Sequence, residues 1–143
     1  MADKLIMEVH VALDREHITE LDGPAGKVKM LPFTGTVEGE IFHGVIEPWG
    51  VDTQVTNQNE VRHMSARYML TGKDTDGANC RIYVENNAWF TGGARPRPFY
   101  TVPTFITDSK RLAPYLHRNR FIGEGLRDER GLWIRFYEID GTQ

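Results

Sequence analysis

Strand-length runs of alternating side chains recur about nine times along this 143-residue chain, and most are closed off by glycine, proline, asparagine or aspartate. That rhythm leaves little room for helix. A period of two lines up apolar side chains on one face of an extended segment, whereas a helix needs a period near 3.6. The runs fall at 5–13, 27–36, 40–47, 51–56, 61–70, 78–90, 100–107, 121–127 and 132–139. Turns are expected at Asp22-Gly-Pro-Ala-Gly26, Pro48-Trp-Gly50, Asn57-Gln-Asn-Glu60, Gly72-Lys-Asp-Thr-Asp-Gly77 and Asp128-Glu-Arg-Gly131. One short helix is expected over 110–117, where Asp108-Ser109 offers a cap.

About nine strands and one short helix within residues 1–143, read as one domain, predict an all-β fold: a closed or nearly closed antiparallel β-barrel. A two-sheet sandwich is the competing architecture. Closure is favoured because it removes the two edges that an open sheet must protect and leaves an interior able to hold one small ligand. The stretch Thr91-Gly-Gly-Ala-Arg-Pro-Arg-Pro98 breaks the rhythm and reads as an irregular lid or rim.

Seventeen basic against twenty acidic residues, a formal charge of −3, argue against a protein that must neutralise many phosphates, so no nucleic-acid partner is expected. No run approaches the ~20 apolar residues of a membrane span, and none resembles a signal peptide. Cys80 is the only cysteine, which excludes an intrachain disulfide, suits the cytoplasm, and reads as a buried structural thiol. The five histidines are scattered without ligand spacing, so neither a metal nor another cofactor is expected.

The chemistry-bearing residues concentrate in Gly50-Val-Asp-Thr-Gln54 and His63-Met-Ser-Ala-Arg-Tyr68. Asp52 and Gln54 share one face of their strand; His63, Ser65 and Arg67 share one face of the next. If the two rows meet inside a barrel, Asp52 is an acid/base beside the Arg67 guanidinium, which would clamp a carboxylate or oxyanion. A structural ion pair is the alternative. His63 is a candidate relay, or a satisfied histidine. In Arg81-Ile-Tyr-Val-Glu-Asn-Asn87 one of two rows must face inward: Ile82, Val84 and Asn86, which would supply an amide for an oxyanion site, or Tyr83 and Glu85, which would add a second acid. Trp49, Trp89 and Tyr100 could wall an aromatic substrate or simply pack the core. Arg95 and Arg97 could draw an anion to the mouth, or be solvated.

The glycines of Phe33-Thr-Gly35-Thr-Val-Glu-Gly39 and Gly44, followed by Trp49-Gly-Val-Asp52, Ala66-Arg-Tyr68, Ile82-Tyr-Val-Glu-Asn86 and Phe121-Ile-Gly-Glu124, resemble the DUF3237 (UPF0311) family over nearly the whole chain. The resemblance implies a small all-β barrel that often self-associates, and its recurring asparagine favours Asn86 as the inward residue. Two positions depart from the family pattern. Trp49-Gly50 stands where many members have a double glycine, and Ser65 where they often carry an acid.

Together these residues predict a cofactor-independent lyase, or an isomerase or cyclase, moving protons on a small hydrophobic or aromatic carboxylate or enolisable carbonyl compound. Asp52, Arg67 and His63 would be catalytic; Asn86, Glu85, Gln54, Trp49, Trp89, Tyr100 and Glu124 would contact the substrate. A non-catalytic ligand-binding barrel is the alternative, and a structural subunit with rim arginines a third. A homodimer is expected from aromatics on the rim.

Overall fold

The computed structural model describes residues 3–92 and 95–139. Its strands are β1 (Lys4–Leu13), β2 (Thr19–Gly23), β3 (Gly26–Glu38), β4 (Phe42–Asn57), β5 (Arg62–Asp74), β6 (Asn79–Phe90), β7 (Phe99–Thr107), β8 (Phe121–Asp128) and β9 (Gly131–Glu138). Each pairs antiparallel with its neighbour from β2 through to β9, β9 pairs with β1, and β1 returns to β3. The result is a closed eight-stranded antiparallel barrel, with β2 as an extra strand on the β3 hairpin. One 3₁₀ turn (Arg15–His17) and one helical turn, α1 (Ala113–Leu116), are the helical pieces among the described residues. No helix among them is long and apolar enough to cross a membrane.

Two segments differ from the alternation pattern. The runs at 40–47 and 51–56 are one strand, because Pro48-Trp-Gly50 does not reverse the chain. Instead β4 carries two extra residues there: Ile46 and Val51 lie opposite Leu70 and Arg67, a step of five residues against three. A bulge tolerates proline because the ladder is already broken at that point. The polar connection after β1, in turn, contains β2, an edge strand exposed along most of its length, which shows no buried face for alternation to reveal.

Along β1, β5, β6 and β9 the inward row is mostly apolar, whereas β2 has no buried face and β4 turns polar beyond its bulge. Met7, Val9, Val37, Ile46, Leu70, Ile82, Phe105 and Phe136 are all but fully buried, and the Phe105 ring meets Phe121 and Phe136 edge-on at 5.3 Å. Each such aromatic contributes roughly 2–3 kcal/mol by burial. One end of the barrel is plugged by Leu112 and Leu116 around α1. Ser109 fixes that plug: its hydroxyl donates to Asp74 Oδ2 at 3.0 Å and accepts from the Leu112 N–H at 3.1 Å, but the helix expected over 110–117 is only the turn Ala113–Leu116, whose N-cap is Leu112 with no side-chain cap. Cys80 is buried, and burial pushes its thiol above the usual value. The other end, ringed by the β4–β5 turn, residues 95–98 and the β8–β9 turn, is where the interior is not filled; residues 93 and 94 of the expected rim lie outside the described residues.

Candidate functional site

Register decides which polar residues enter the barrel. Asp52 lies opposite Ala66, and Ala66 opposite Asn86. The inward residues of β5 are therefore Met64, Ala66, Tyr68 and Leu70, while His63, Ser65 and Arg67 belong to the other face. The expected meeting of the Asp52 and Arg67 rows does not occur. Arg67 projects outward, its side chain 62% exposed, 3.8 Å from Glu85 in a surface pair worth about 0–1 kcal/mol. His63 also lies outside, stacked on Trp89 at 4.6 Å and hydrogen-bonded through Nε2 to Asn87 Oδ1 at 3.0 Å.

A cavity of about 60 Å³ remains inside, toward the open end, lined by Phe33, Asp52, Tyr68, Asn86, Arg95 and Thr101 among apolar neighbours. Two glycines shape it by close approach: a Cβ on Gly50 would run into the Phe33 ring, and one on Gly125 into the Phe99 ring. Ala66, between Asp52 and Asn86, leaves the space in front of both. Those two backbones stand two strands apart, roughly 10 Å.

The polar atoms here are under-satisfied. Asp52 accepts a hydrogen bond from Gln54 Nε2 at 2.9 Å through Oδ2, but its Oδ1, like Asn86 Oδ1 and Thr101 Oγ1, is shut off from solvent with no hydrogen-bond partner in the protein. A polar group left unpartnered in a closed core costs about 1–3 kcal/mol, so each of these atoms calls for a partner from the cavity, a ligand or a water molecule. Burial pushes the Asp52 carboxyl above its usual value, against the Gln54 hydrogen bond and the charges of Arg95, Arg62 and His63. Tyr68 is likewise desolvated and its phenol stays protonated. Arg95 roofs the cavity, with its guanidinium 4.2 Å from the centre of the Phe99 ring.

Beyond the mouth the inward row continues onto the β2–β3 hairpin. A wide, open groove of about 740 Å³ lies there, lined by Glu20, Lys27, Lys29, Gln54, Thr56 and Arg62. It is much larger than the cavity but holds no desolvated acid; Gln54 borders it and bonds to Asp52 within.

Of the expected site residues, Asp52, Gln54 and Asn86 share the inner face. Asn86 is 6% exposed, which resolves the two rows of β6 in its favour. Glu85 lies on the outer face with Arg67. Trp49, Trp89 and Tyr100 are 57–59% exposed on the outside and line no part of the cavity. Glu124, opposite Tyr100, borders an outer groove with Arg95, Arg97 and Arg127. Tyr68, Thr101 and Arg62 were missed. For Tyr68 the signal was present: Met64, Ala66, Tyr68 and Leu70 form the apolar row of their segment. Among the described residues no three His, Cys, Asp or Glu side chains gather as a metal site.

The fold and the cavity define a class: an eight-stranded antiparallel barrel with a closed floor and a buried acid near its open mouth. Within that class the chain belongs to the DUF3237 family of proteins of unknown function, whose sequence profile matches residues 2–139. A UPF0311 protein of Clostridium acetobutylicum is 26% identical over 149 residues, covering 94% of this chain and 91% of the relative. The crystal structure of a protein of unknown function from the same organism, at 26% identity, superimposes with a TM-score of 0.76 over 98% of this chain and 100% of that one. An enzyme from Penicillium herquei has the same fold, with a TM-score of 0.66 at 18% identity, covering 97% of this chain and 94% of its own.

Proposed function

We propose that this barrel is a cofactor-independent acid/base enzyme, a lyase or an isomerase, that moves a proton on a small hydrophobic or aromatic carboxylate or enolisable carbonyl compound. The observation that carries the reading is Asp52: a desolvated carboxyl with one oxygen unpartnered, facing a cavity whose other polar atoms are also unpartnered. A carboxyl raised toward neutral pH is suited to taking and returning a proton. Asn86 orients the reacting carbonyl, since a half-turn of its amide exchanges acceptor for donor and can face a developing oxyanion. Arg95 takes the clamping part that the sequence suggested for Arg67. The occurrence of an enzyme on this fold in Penicillium herquei is consistent with the reading.

With Arg95 laid on Phe99, about 60 Å³ admits a branched aliphatic group, well short of the ~150 Å³ that holds a benzene ring. An aromatic substrate therefore requires the Arg95 side chain to swing off Phe99. The test is deuterium incorporation at C3 of 4-methyl-2-oxopentanoate and of phenylpyruvate in D₂O, followed by proton NMR. The protein should accelerate exchange on at least one, and Asp52→Asn should lower the rate ~100-fold or more. An Asp52→Asn variant that exchanges as fast as the parent would end the acid/base reading.

A second reading, a non-catalytic small-molecule-binding barrel, draws on the mostly apolar cavity wall. Binding of these compounds without exchange would establish it. Self-association as a homodimer is part of the same proposal: Trp89, Tyr100, Val102 and Ile106 are all more than half exposed on adjoining strands. Light scattering that returns only the 16.4 kDa monomer would remove it.

A further inference from the structure

Twelve arginines are distributed over the chain, and six of them, Arg67, Arg81, Arg111, Arg118, Arg130 and Arg135, sit within 4 Å of a carboxylate. Among the described residues, four of the other six, Arg62, Arg95, Arg97 and Arg127, gather at the open end without such a partner. Arg95, Arg97 and Arg127 line one groove beside the mouth. Arg62 comes up from β5 on the inward row, over the Phe90 ring at 5.6 Å, and its Nε is buried without a hydrogen-bond partner. Like charges so placed disfavour one another. Burial holds the Arg95 guanidinium below its usual value, and Arg62, Arg127 and Arg97 add to the effect while Asp52 opposes it.

Glu20, Asp22 and Glu60 border the hairpin groove with Arg62 but form no ion pair with it, and the two acids beside Arg95 do not compensate it. Asp52 is pushed by burial toward its neutral form. Glu124 is engaged by the Tyr137 hydroxyl at 3.4 Å, and Arg135 lines the same groove but is spent on Glu8 at 2.7 Å. In a chain whose formal charge is −3, this is a local inversion of sign. It lies where the desolvated interior opens to solvent, so an ion there is drawn in while remaining partly hydrated.

We propose that the mouth is an organic-anion site, in which Arg62 and Arg95, backed by Arg97 and Arg127, hold the carboxylate or phosphate of an amphipathic ligand whose apolar end enters the cavity. Planar guanidinium forks match either anion. This deepens the acid/base reading by fixing the substrate's orientation: the charged end stays outside Asp52, and the carbon that loses its proton lies between the collar and the apolar floor. The orientation rests on that reading; the collar itself does not. Bound anion would also offset the cationic pull on Asp52 and so strengthen it as a base.

Titration calorimetry on the parent and on Asp52→Asn, where exchange chemistry is silenced, tests the collar separately from catalysis. The probes are phenylpyruvate, its neutral methyl ester, and phenyl phosphate. At least one anion should bind ~10-fold or more tightly than the ester, with the preference shrinking as salt rises. Arg62→Met/Arg95→Met should abolish that preference, and Arg67→Ala, on the outer face, should keep it. Should the double methionine variant fail to fold, Arg95→Lys supplies the test, since a point charge should retain only part of the preference. Which anion binds more tightly distinguishes carboxylate from phosphate. Failure of both anions to outbind the ester, a preference that survives loss of both arginines, or no binding of either anion at ~10 mM overturns the proposal. Anion preference without C3 exchange would leave the collar standing and remove the enzyme.

Discussion

Replacing Asp52 with asparagine should stabilise the protein at neutral pH, and the sign follows from which effect dominates at the carboxyl. The Gln54 hydrogen bond and the charges of Arg95, Arg62 and His63 all favour the ionised form, yet burial outweighs them and raises the proton affinity above the usual 3.8. The folded chain thus keeps this proton at pH values where the unfolded chain has released it. Between the unfolded and folded values the native state binds more protons, so stability falls as pH rises, and the loss is complete once pH passes the folded value. An asparagine side chain does not titrate and escapes the loss. The part of Asp52 still open to the cavity reduces the gain, as do the two arginine attractions that asparagine forfeits. About 1 kcal/mol is a reasonable size for relieving such a site, equivalent to roughly 3–5 °C in Tm for a chain of this length. Urea unfolding at pH 4 and pH 8 should show the two proteins close together at the lower pH and the variant ahead at the higher. If the Asp52→Asn variant is instead the less stable at pH 8 by ~1 kcal/mol or more, the carboxylate is a structural partner of Arg62 and Arg95 and the argument from burial is wrong.

Arg67→Ala should change stability by no more than ~0.5 kcal/mol and leave any C3 exchange intact, because the side chain is exposed on the outer face; an exchange rate falling with the Arg67 charge would reopen the pairing suggested by the sequence. Gly125→Ala should cost ~1–3 kcal/mol in urea unfolding, since the new methyl meets the Phe99 ring in a packed wall. At the plugged end, burial raises Asp74 but hydrogen bonds from Ala78 N–H, Ser109 Oγ and Asp76 N–H prevail and hold it below 3.8. Its contribution is present above the unfolded value and is lost as pH falls through the folded one, so Ser109→Ala should lower Tm at pH 7 and narrow its gap from the parent in acid, as calorimetry would show.

The strand content and the barrel class could be derived from alternation alone, because burial of one face writes a period of two directly into residue order. Alternation also grouped Asp52 with Gln54, and Asn86 with Ile82 and Val84, but left open which row of each strand faces inward. What alternation cannot express is how one strand slides against the next. A shift of one residue in the β4–β5 pairing exchanges Ala66 for Arg67 opposite Asp52, and only the assembled ladder, with Met64, Tyr68 and Leu70 claiming the interior, settles the matter. The β4 bulge at Pro48-Trp-Gly50 was likewise invisible, since those residues are equally good turn formers. Arg62 and Arg95 lie 33 positions apart, and Arg62 acts on Arg95 at the mouth only because the fold brings the start of β5 near it. Local sequence specified which residues were extended and which of them were apolar; closure of the sheet chose which polar groups share an interior, because that depends on register summed around all eight strands.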